Sequence, residues 1–213
     1  LYQAQVAFKD QAKRISIGER VNLLKKLKNL IHQNESKIKA AIYNDFRKSA
    51  VETDTTEILA SILELNHIIK NLKKWAKPKS VGTSLLFATT SAKLVYEPKG
   101  NTLIITPWNY PFQLPIVHLA GSIAAGNTVI LKLSEFTPHI NKVIKELLAD
   151  LFDKNHVAVL EGEVEETTHV LQLKFDHIHF TGSPAVGKII MEAAAKNLTD
   201  ITLELGGKSP VFI

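Results

Sequence analysis

Apolar residues recur at helical spacing through the first third of the chain. One apolar stripe runs from Leu23 to Ile31, behind a capping box at Ser16–Glu19, and a longer one runs from Ile58 to Leu72. Pro78 ends this region, because proline cannot continue a helix. The pattern predicts a helical N-terminal arm over residues 1–78.

A short segment of different character follows at residues 79–100. Thr83–Phe87 and Lys93–Glu97 are short runs rich in strand-forming residues, and Pro98–Gly100 is typical of a turn. This segment therefore predicts a small, hairpin-like β element between the arm and the rest of the chain.

From residue 101 onward, short apolar runs alternate with segments of helical length. This alternation is typical of a parallel sheet whose strands are joined by right-handed helical crossovers. It predicts an α/β fold, with a Rossmann-type five-stranded parallel sheet over residues 101–213. The predicted strands are Thr102–Thr106, Thr128–Leu133, Val157–Leu160, His177–Phe180 and Ile201–Leu205, and the predicted helices are Gln113–Ala125, Pro138–Leu151, Val164–Leu173 and Ala185–Asn197.

Composition narrows the class of protein. The 213 residues contain no cysteine, so no disulfide framework supports secretion, and we expect a cytoplasmic protein. The net charge of +5 lies mainly on lysines opposite the apolar stripes, without the interleaved aromatic residues that stack on bases. We therefore expect no nucleic-acid partner. We expect no membrane partner either, because polar residues interrupt the apolar stretch Leu114–Leu131. The start at Leu1 and the apolar run Ser209–Ile213 suggest a piece of a longer protein.

The residues that follow each predicted strand are the first candidates for a site, because parallel sheets bind ligands at the carboxyl ends of their strands. After the first strand, Asn109 stands in a turn stiffened by Pro107 and Pro111. A fixed amide group can donate a hydrogen bond to an oxyanion. The alternative is a turn asparagine that bonds to its own backbone.

Lys132 and Glu135 follow the second strand. Both can hydrogen-bond the hydroxyls of a ribose, and a carboxylate there favours a free 2′-hydroxyl over a 2′-phosphate. The alternative is a surface ion pair at the start of the next helix.

The fourth strand leads into a glycine-containing turn at Thr181–Lys188. Gly182, Ser183 and Gly187 precede or open a predicted helix, whose N-terminus would attract a pyrophosphate. The spacing from Gly182 to Lys188 resembles a P-loop, but Ile189 replaces the Ser or Thr that holds Mg²⁺, which disfavours a nucleotide triphosphatase.

Glu204 stands alone in the apolar fifth strand and is followed by two glycines. A carboxylate in apolar surroundings is a candidate general base, and pairing with Lys208 is the alternative. His177 and His179 could ligate a metal, but no third ligand is suitably spaced, so we expect a strand surface and no metal.

Together these residues resemble the aldehyde dehydrogenase superfamily, most closely its class 3, fatty-aldehyde-like branch. The similarity extends over essentially the whole chain, with four motifs in the family's order and rough spacing. These motifs are Pro107–Phe112, Ala124–Asn127, Phe180–Ser183 and Leu203–Pro210, and the class 3 character comes from Phe175–Ile178 and Val186–Met191.

The resemblance implies oxidation of an aldehyde to a carboxylic acid through a cysteine thioester, with NAD, or possibly NADP, as the cofactor. By this resemblance, Asn109 holds the oxyanion and Glu204 activates water. It also implies a homodimer for the full-length protein. The cofactor-binding residues that it implies are Pro107, Trp108, Lys132, Glu135, Thr181, Gly182, Ser183, Val186, Gly187, Leu205 and Gly206.

The sequence departs from the family pattern in two places. Leu133 stands where the family has a proline, which loosens the turn that aims Glu135. The nucleophilic cysteine is absent, so we expect the isolated chain to be inactive. Three rival interpretations are a stand-alone dinucleotide-binding module, a CoA-acylating relative, and a helical arm that binds anions or nucleic acid. Glu204 argues against the second, because such an enzyme does not need a base that activates water.

Overall fold

The structure is a computed structural model that describes residues 1–87 and 89–212. Ile213, the last residue of the predicted nucleotide-binding region, lies outside the described residues. None of the helices within the described ranges combines the length and the apolar character needed to cross a bilayer.

The N-terminal arm is helical, as the apolar stripes predict. The predicted capping box is confirmed: the Ser16 hydroxyl accepts a hydrogen bond from the Glu19 amide at 3.2 Å, and the Ser16 amide donates to the Glu19 carboxylate at 2.9 Å. A π-helical turn at Asp54–Ile58 lies within the last helical stretch, and no pattern in the sequence predicts it. The helices of the arm are α1 (Tyr2–Arg14), α2 (Ile17–Gln33), α3 (Glu35–Phe46), α4 (Ala50–Thr53) and α5 (Leu59–Trp75).

A small antiparallel sheet follows the arm, but one of its strands is not where the sequence predicts it. β1 (Lys79–Val81) pairs with β2 (Ala92–Leu94), so the predicted strand at Thr83–Phe87 is wrong. Leu85–Phe87 instead forms a single 3₁₀ turn, closed by a hydrogen bond from the Phe87 amide to the Ser84 carbonyl. These apolar side chains are exposed, so no burial of one face favours an extended conformation there.

The remainder of the chain forms a five-stranded parallel sheet with helical crossovers, which confirms the predicted α/β, Rossmann-type fold. The predicted helix Gln113–Ala125 and the predicted strand Val157–Leu160 have the observed bounds, and the other predicted elements of this region differ from the observed ones by one to three residues at one or both ends. The strands are β3 (Asn101–Ile105), β4 (Thr128–Lys132), β5 (Val157–Leu160), β6 (His177–Gly182) and β7 (Asp200–Leu205), and the helices are α6 (Gln113–Ala125), α7 (Pro138–Ala149), α8 (Val164–Val170) and α9 (Pro184–Ala195).

The spatial order of the strands is β5-β4-β3-β6-β7. The chain moves outward from β3 to β5, returns to the other side of β3, and then moves outward again to β7. The order therefore reverses between β3 and β6, and a crevice forms at the carboxyl ends of these two strands.

Helices cover both faces of the central strands. Ile104 of β3 packs into a core formed with α2, α3, α5, α6 and α7, whereas its neighbours Leu103 and Ile105 pack on the opposite face against residues of α8 and α9. Burial on both faces explains why β3 and β4 appear in the sequence as continuous apolar runs. The first core is continuous between the arm and the sheet, and the division of the chain at residues 78 and 100 stays a prediction.

Arg20 connects the arm to the far end of α6. Its guanidinium donates to the carbonyls of Ala124 and Ala125, at 3.3 and 2.9 Å, and to the Lys13 carbonyl at 2.8 Å. The helix ends at Gly126, whose φ of +94° is left-handed and whose missing Cβ would lie 2.5 Å from the guanidinium carbon. Only glycine therefore fits both the turn and the arginine.

Candidate functional site

An open cleft of about 690 Å³ lies at the crevice between β3 and β6. Most of the candidates that follow β3, β6 and β7 meet there, although they are far apart in the sequence. The residues that line the cleft are Pro107, Trp108, Asn109, Leu114, His118, Thr181, Gly182, Ser183, Glu204, Leu205 and Gly206.

The turn after β3 presents Asn109 at the surface of the cleft. Its side-chain amide makes no hydrogen bond within the described part of the chain, so it does not bond to its own turn there. Its neighbour Trp108 is also exposed, whereas Phe112, at the end of the turn, is fully buried. The turn is therefore anchored at its far end and leaves the asparagine amide accessible to a ligand.

The turn from β6 into α9 has a serine cap in place of a second glycine. The Ser183 hydroxyl accepts a hydrogen bond from the Val186 amide at 3.3 Å, and Pro184 occupies the first turn of the helix. A Cβ on Gly187 would lie 2.9 Å from a Leu205 methyl group, so this glycine allows α9 to pack closely on β7. Gly182 is the last residue of β6 rather than part of the turn, and a Cβ there would meet the Phe180 ring.

Glu204 lies on the edge strand β7, in register with Thr181 of β6. It is exposed, so the apolar surroundings that the sequence suggests are not present within the described residues. Its carboxylate forms no hydrogen bond or ion pair in residues 1–87 and 89–212, so the alternative pairing with Lys208 is absent there as well. The carboxylate lines the cleft, and no described residue pairs with it in competition with a ligand.

His118 of α6 also lines the cleft, although it was not among the residues predicted from the sequence. Its ring centroid lies 3.9 Å from that of His179, and its Nε2 atom is buried without a hydrogen-bond partner in the described structure. Burial lowers the pKa of His118, and the nearby charge of Glu204 opposes this shift. The sequence shows His177, His179 and Thr181 at alternate positions of one strand. It does not show that His118, on a distant helix, contacts His179, and only the structure reveals this pair.

His179 has the stronger shift of the two. Burial, followed by the charges of His118 and His177, lowers the pKa of His179 to about 4. Its Nε2 atom lies 3.3 Å from the Thr181 hydroxyl. Two uncharged imidazoles therefore contact each other at neutral pH, and that of His118 lines the cleft.

Lys132 and Glu135 lie at the end of β4, on the other side of β3 from the cleft. Lys132 is only 3% exposed, and its ammonium group donates to the Leu133 carbonyl at 2.7 Å. The ammonium nitrogen also lies 3.5 Å from a Glu135 carboxylate oxygen, so the ion pair that the sequence offered as an alternative is present. The other Glu135 oxygen makes no hydrogen bond within the described residues.

The family model for the aldehyde dehydrogenase family matches residues 1–213. The 4,4'-diaponeurosporen-aldehyde dehydrogenase of Staphylococcus aureus is 45% identical over 212 residues, which is 100% of this chain and 46% of that protein. Aldehyde dehydrogenase family 3 member B2 of Mus musculus is 47% identical over 190 residues, 89% of this chain and 40% of that protein. The resemblance to class 3 members is thus confirmed, and the chain spans about half the length of the curated relatives it matches.

Solved structures agree with this result. The substrate-bound state of Staphylococcus aureus AldH has a TM-score of 0.95 and 45% identity, and it covers 98% of this chain and 46% of that one. The structure of PnpE in complex with nicotinamide adenine dinucleotide has a TM-score of 0.88 and 26% identity, with 97% and 42% covered.

We expect the free energy of unfolding to fall as the pH is lowered from 6.5 towards 4. Burial holds the pKa values of His118, His156 and His179 below 6.5 in the folded chain, so the unfolded chain binds more protons in this window. Each histidine contributes at most about 1.4 kcal/mol per pH unit. Urea titrations followed by tryptophan fluorescence at several pH values measure this slope.

The variant His179→Asn should flatten this slope, whereas the control His67→Asn, at an exposed histidine of α5, should leave it as in the parent. A slope that His179→Asn leaves unchanged would contradict burial of this imidazole as its cause.

Proposed function

Because the chain belongs to the aldehyde dehydrogenase family, we propose that its protein oxidises an aldehyde to a carboxylic acid with NAD⁺ or NADP⁺. The observation that carries this proposal is the convergence of Asn109 and Glu204 on one cleft, beside the N-terminus of α9. An amide donor and an unpaired carboxylate in one cleft suit the two halves of an acyl-transfer reaction, which are stabilisation of an oxyanion and activation of water.

The cleft has features that fit a dinucleotide. Ser183 caps α9 with its hydroxyl, so the first turn of this helix can receive a pyrophosphate together with Thr181, Gly182 and Val186. Gly187 brings the helix close to β7, as the third glycine of a dinucleotide-binding turn does. Pro107, Trp108, Leu205 and Gly206 complete the surface around the nicotinamide in this proposal. When bound, the cofactor supplies a hydride acceptor.

Lys132 and Glu135 would hold the adenosine ribose. The Lys132 ammonium group is fixed by the Leu133 carbonyl and directs Glu135 through their ion pair. The free carboxylate oxygen of Glu135 can then accept a hydrogen bond from a ribose 2′-hydroxyl. Since the same oxygen repels a 2′-phosphate, we propose NAD as the preferred cofactor.

The chemistry also needs a thiolate, which must come from outside these 213 residues because they contain no cysteine. In the proposed reaction the thiolate adds to the aldehyde carbon, and Asn109 donates its amide hydrogen to the oxygen that becomes negative. After hydride loss, the Glu204 carboxylate takes a proton from the water that attacks the acyl carbon, and cleavage of the C–S bond then releases the carboxylic acid and the thiolate. A cytoplasmic homodimer is our proposal for the complete enzyme.

We predict that Glu135→Gln narrows the preference of the complete enzyme for NAD over NADP. The carboxylate should disfavour the 2′-phosphate by about 1–3 kcal/mol, the scale of an unrelieved like-charge contact. The ratio of kcat/KM values for the two cofactors measures this effect. Glu161→Gln, which removes an exposed carboxylate paired with Lys145, is the matched control and should leave the ratio unchanged. Glu135 does not discriminate against the 2′-phosphate if the parent enzyme prefers NADP and Glu135→Gln leaves the ratio of the two kcat/KM values unchanged.

We predict that Asn109→Ala and Glu204→Gln impair different steps. Loss of the amide donor should slow formation of NADH in the first turnover by about 10²–10³-fold. Glu204→Gln should preserve a burst of NADH while steady-state turnover falls, because it affects hydrolysis. Stopped-flow measurement of NADH separates the two phases, and Glu192→Gln, an exposed residue of α9, is the control. Normal turnover in Glu204→Gln would show that another group is the base.

We predict that the 213-residue polypeptide alone oxidises no aldehyde. It has no thiol, and among the described residues no general base contacts the hydroxyl of Ser183 or Ser209 to replace one. The assay measures NADH formation with short, long-chain and aromatic aldehydes, with dinucleotide binding measured by calorimetry in parallel. Turnover that co-purifies with the polypeptide and disappears in Glu204→Gln would overturn this prediction, whereas NAD binding without turnover would agree with it.

A further inference from the structure

Two carboxylates of the N-terminal arm cap helices of the nucleotide-binding sheet. A Glu57 oxygen accepts hydrogen bonds from the amides of Phe112 and Gln113, at 3.1 and 2.8 Å, where α6 begins. The Asp45 carboxylate accepts hydrogen bonds from the amides of His139 and Ile140, at 3.0 and 2.9 Å, in the first turn of α7. Each carboxylate supplies the acceptor that the free amides at a helix N-terminus require.

Glu57 is held unusually firmly. It lies in the π-helical turn of the arm, is 0% exposed, and its second oxygen lies 2.7 Å from the Lys48 ammonium nitrogen. A buried ion pair is retained only where all of its charged atoms have partners, and both oxygens of this carboxylate have them. The Lys48 ammonium also lies 4.5 Å from the centre of the Tyr110 ring, one residue after Asn109.

These contacts hold the chain directly after Asn109. Lys48 contacts the ring of Tyr110, the next residue, and Glu57 holds the amides of Phe112 and Gln113 at the end of the same turn. The described residues give the Asn109 side chain no hydrogen bond of its own, so its position depends on the backbone of this turn. The arm, rather than the sheet alone, therefore determines where the amide donor stands.

We infer that Glu57 is a positioning residue for Asn109, and that Asp45 positions the loop carrying Glu135 in the same way. This inference rests on the proposed function. The second pairing follows from the same geometry, since the amides that Asp45 holds begin the helix directly after Ser134–Thr137. The two caps have similar hydrogen-bond lengths but support different loops. Variants of the two caps therefore distinguish an effect on the chemical step from an effect on cofactor binding.

The test compares the two caps in the complete enzyme. Glu57→Gln should slow the NADH burst by about 10- to 100-fold, the scale for a misplaced catalytic group, and leave the KM for NAD unchanged. Asp45→Asn should raise the KM for NAD by about tenfold and leave the burst rate unchanged. Asp54→Asn is the matched control, because Asp54 lies in the same π-helical turn as Glu57 but pairs with Lys39 at 2.7 Å. It should change neither quantity.

A double-mutant cycle then tests whether Glu57 acts through Asn109. In an Asn109→Ala background, Glu57→Gln should slow the burst by less than about twofold, because the donor that it positions is already gone. Glu57→Asp keeps the charge beside Lys48 while it withdraws the oxygen from both amides. If Glu57→Gln does not fold, Glu57→Asp takes its place in the same double-mutant cycle.

Three results would overturn the inference: a normal burst in Glu57→Gln, a full multiplicative loss in the double variant, or an equal loss of burst rate in Asp45→Asn. A different result identifies failure of the proposed function itself. If Asn109→Ala leaves the burst unchanged, both proposals are wrong, whereas a slow Asn109→Ala with a normal Glu57→Gln removes only the positioning role.

Discussion

Parallel pairing of the five strands is the constraint on which the rest of the structure depends. Every connection between parallel neighbours has to cross the sheet, so all carboxyl ends point the same way and all helices lie on the faces. The reversal of strand order between β3 and β6 then separates the helices that follow these two strands and opens the crevice. Asn109, Ser183 and Glu204 meet in one cleft because each follows or ends a strand at this edge.

This constraint also explains how much of the fold could be predicted from the sequence. A strand buried on both faces appears as a short apolar run, and a crossover helix as a longer amphipathic segment, so the central elements can be recognised locally. The small sheet was harder to place, because Lys79–Val81 is exposed and carries no such pattern, whereas Leu85–Phe87 is apolar but exposed too. Local apolarity therefore misplaced one strand.

Some residues of the site could be predicted from the sequence next to them, whereas others depend on partners far away in the chain. The turn residues that line the cleft were predicted because they directly follow apolar runs. His118 and the Glu57 cap were not, because their partners are distant in sequence: Glu57 and Phe112 are 55 residues apart, and Asp45 and His139 are 94 apart. The exposure of Glu204 could not be predicted either, since an edge strand and a central strand can share the same apolar composition.

The long sequence separation of the two caps has a consequence for the order of events during synthesis. Chains emerge from the ribosome N-terminus first, so α3 and the π-helical turn exist before α6 and α7 have been made. The arm holds mainly local helical contacts, which form quickly, whereas the parallel strands have to wait for distant partners. Asp45 and Glu57 therefore stand ready as acceptors when their helices appear. The arm therefore contains the acceptors for the first two crossover helices before those helices are synthesised.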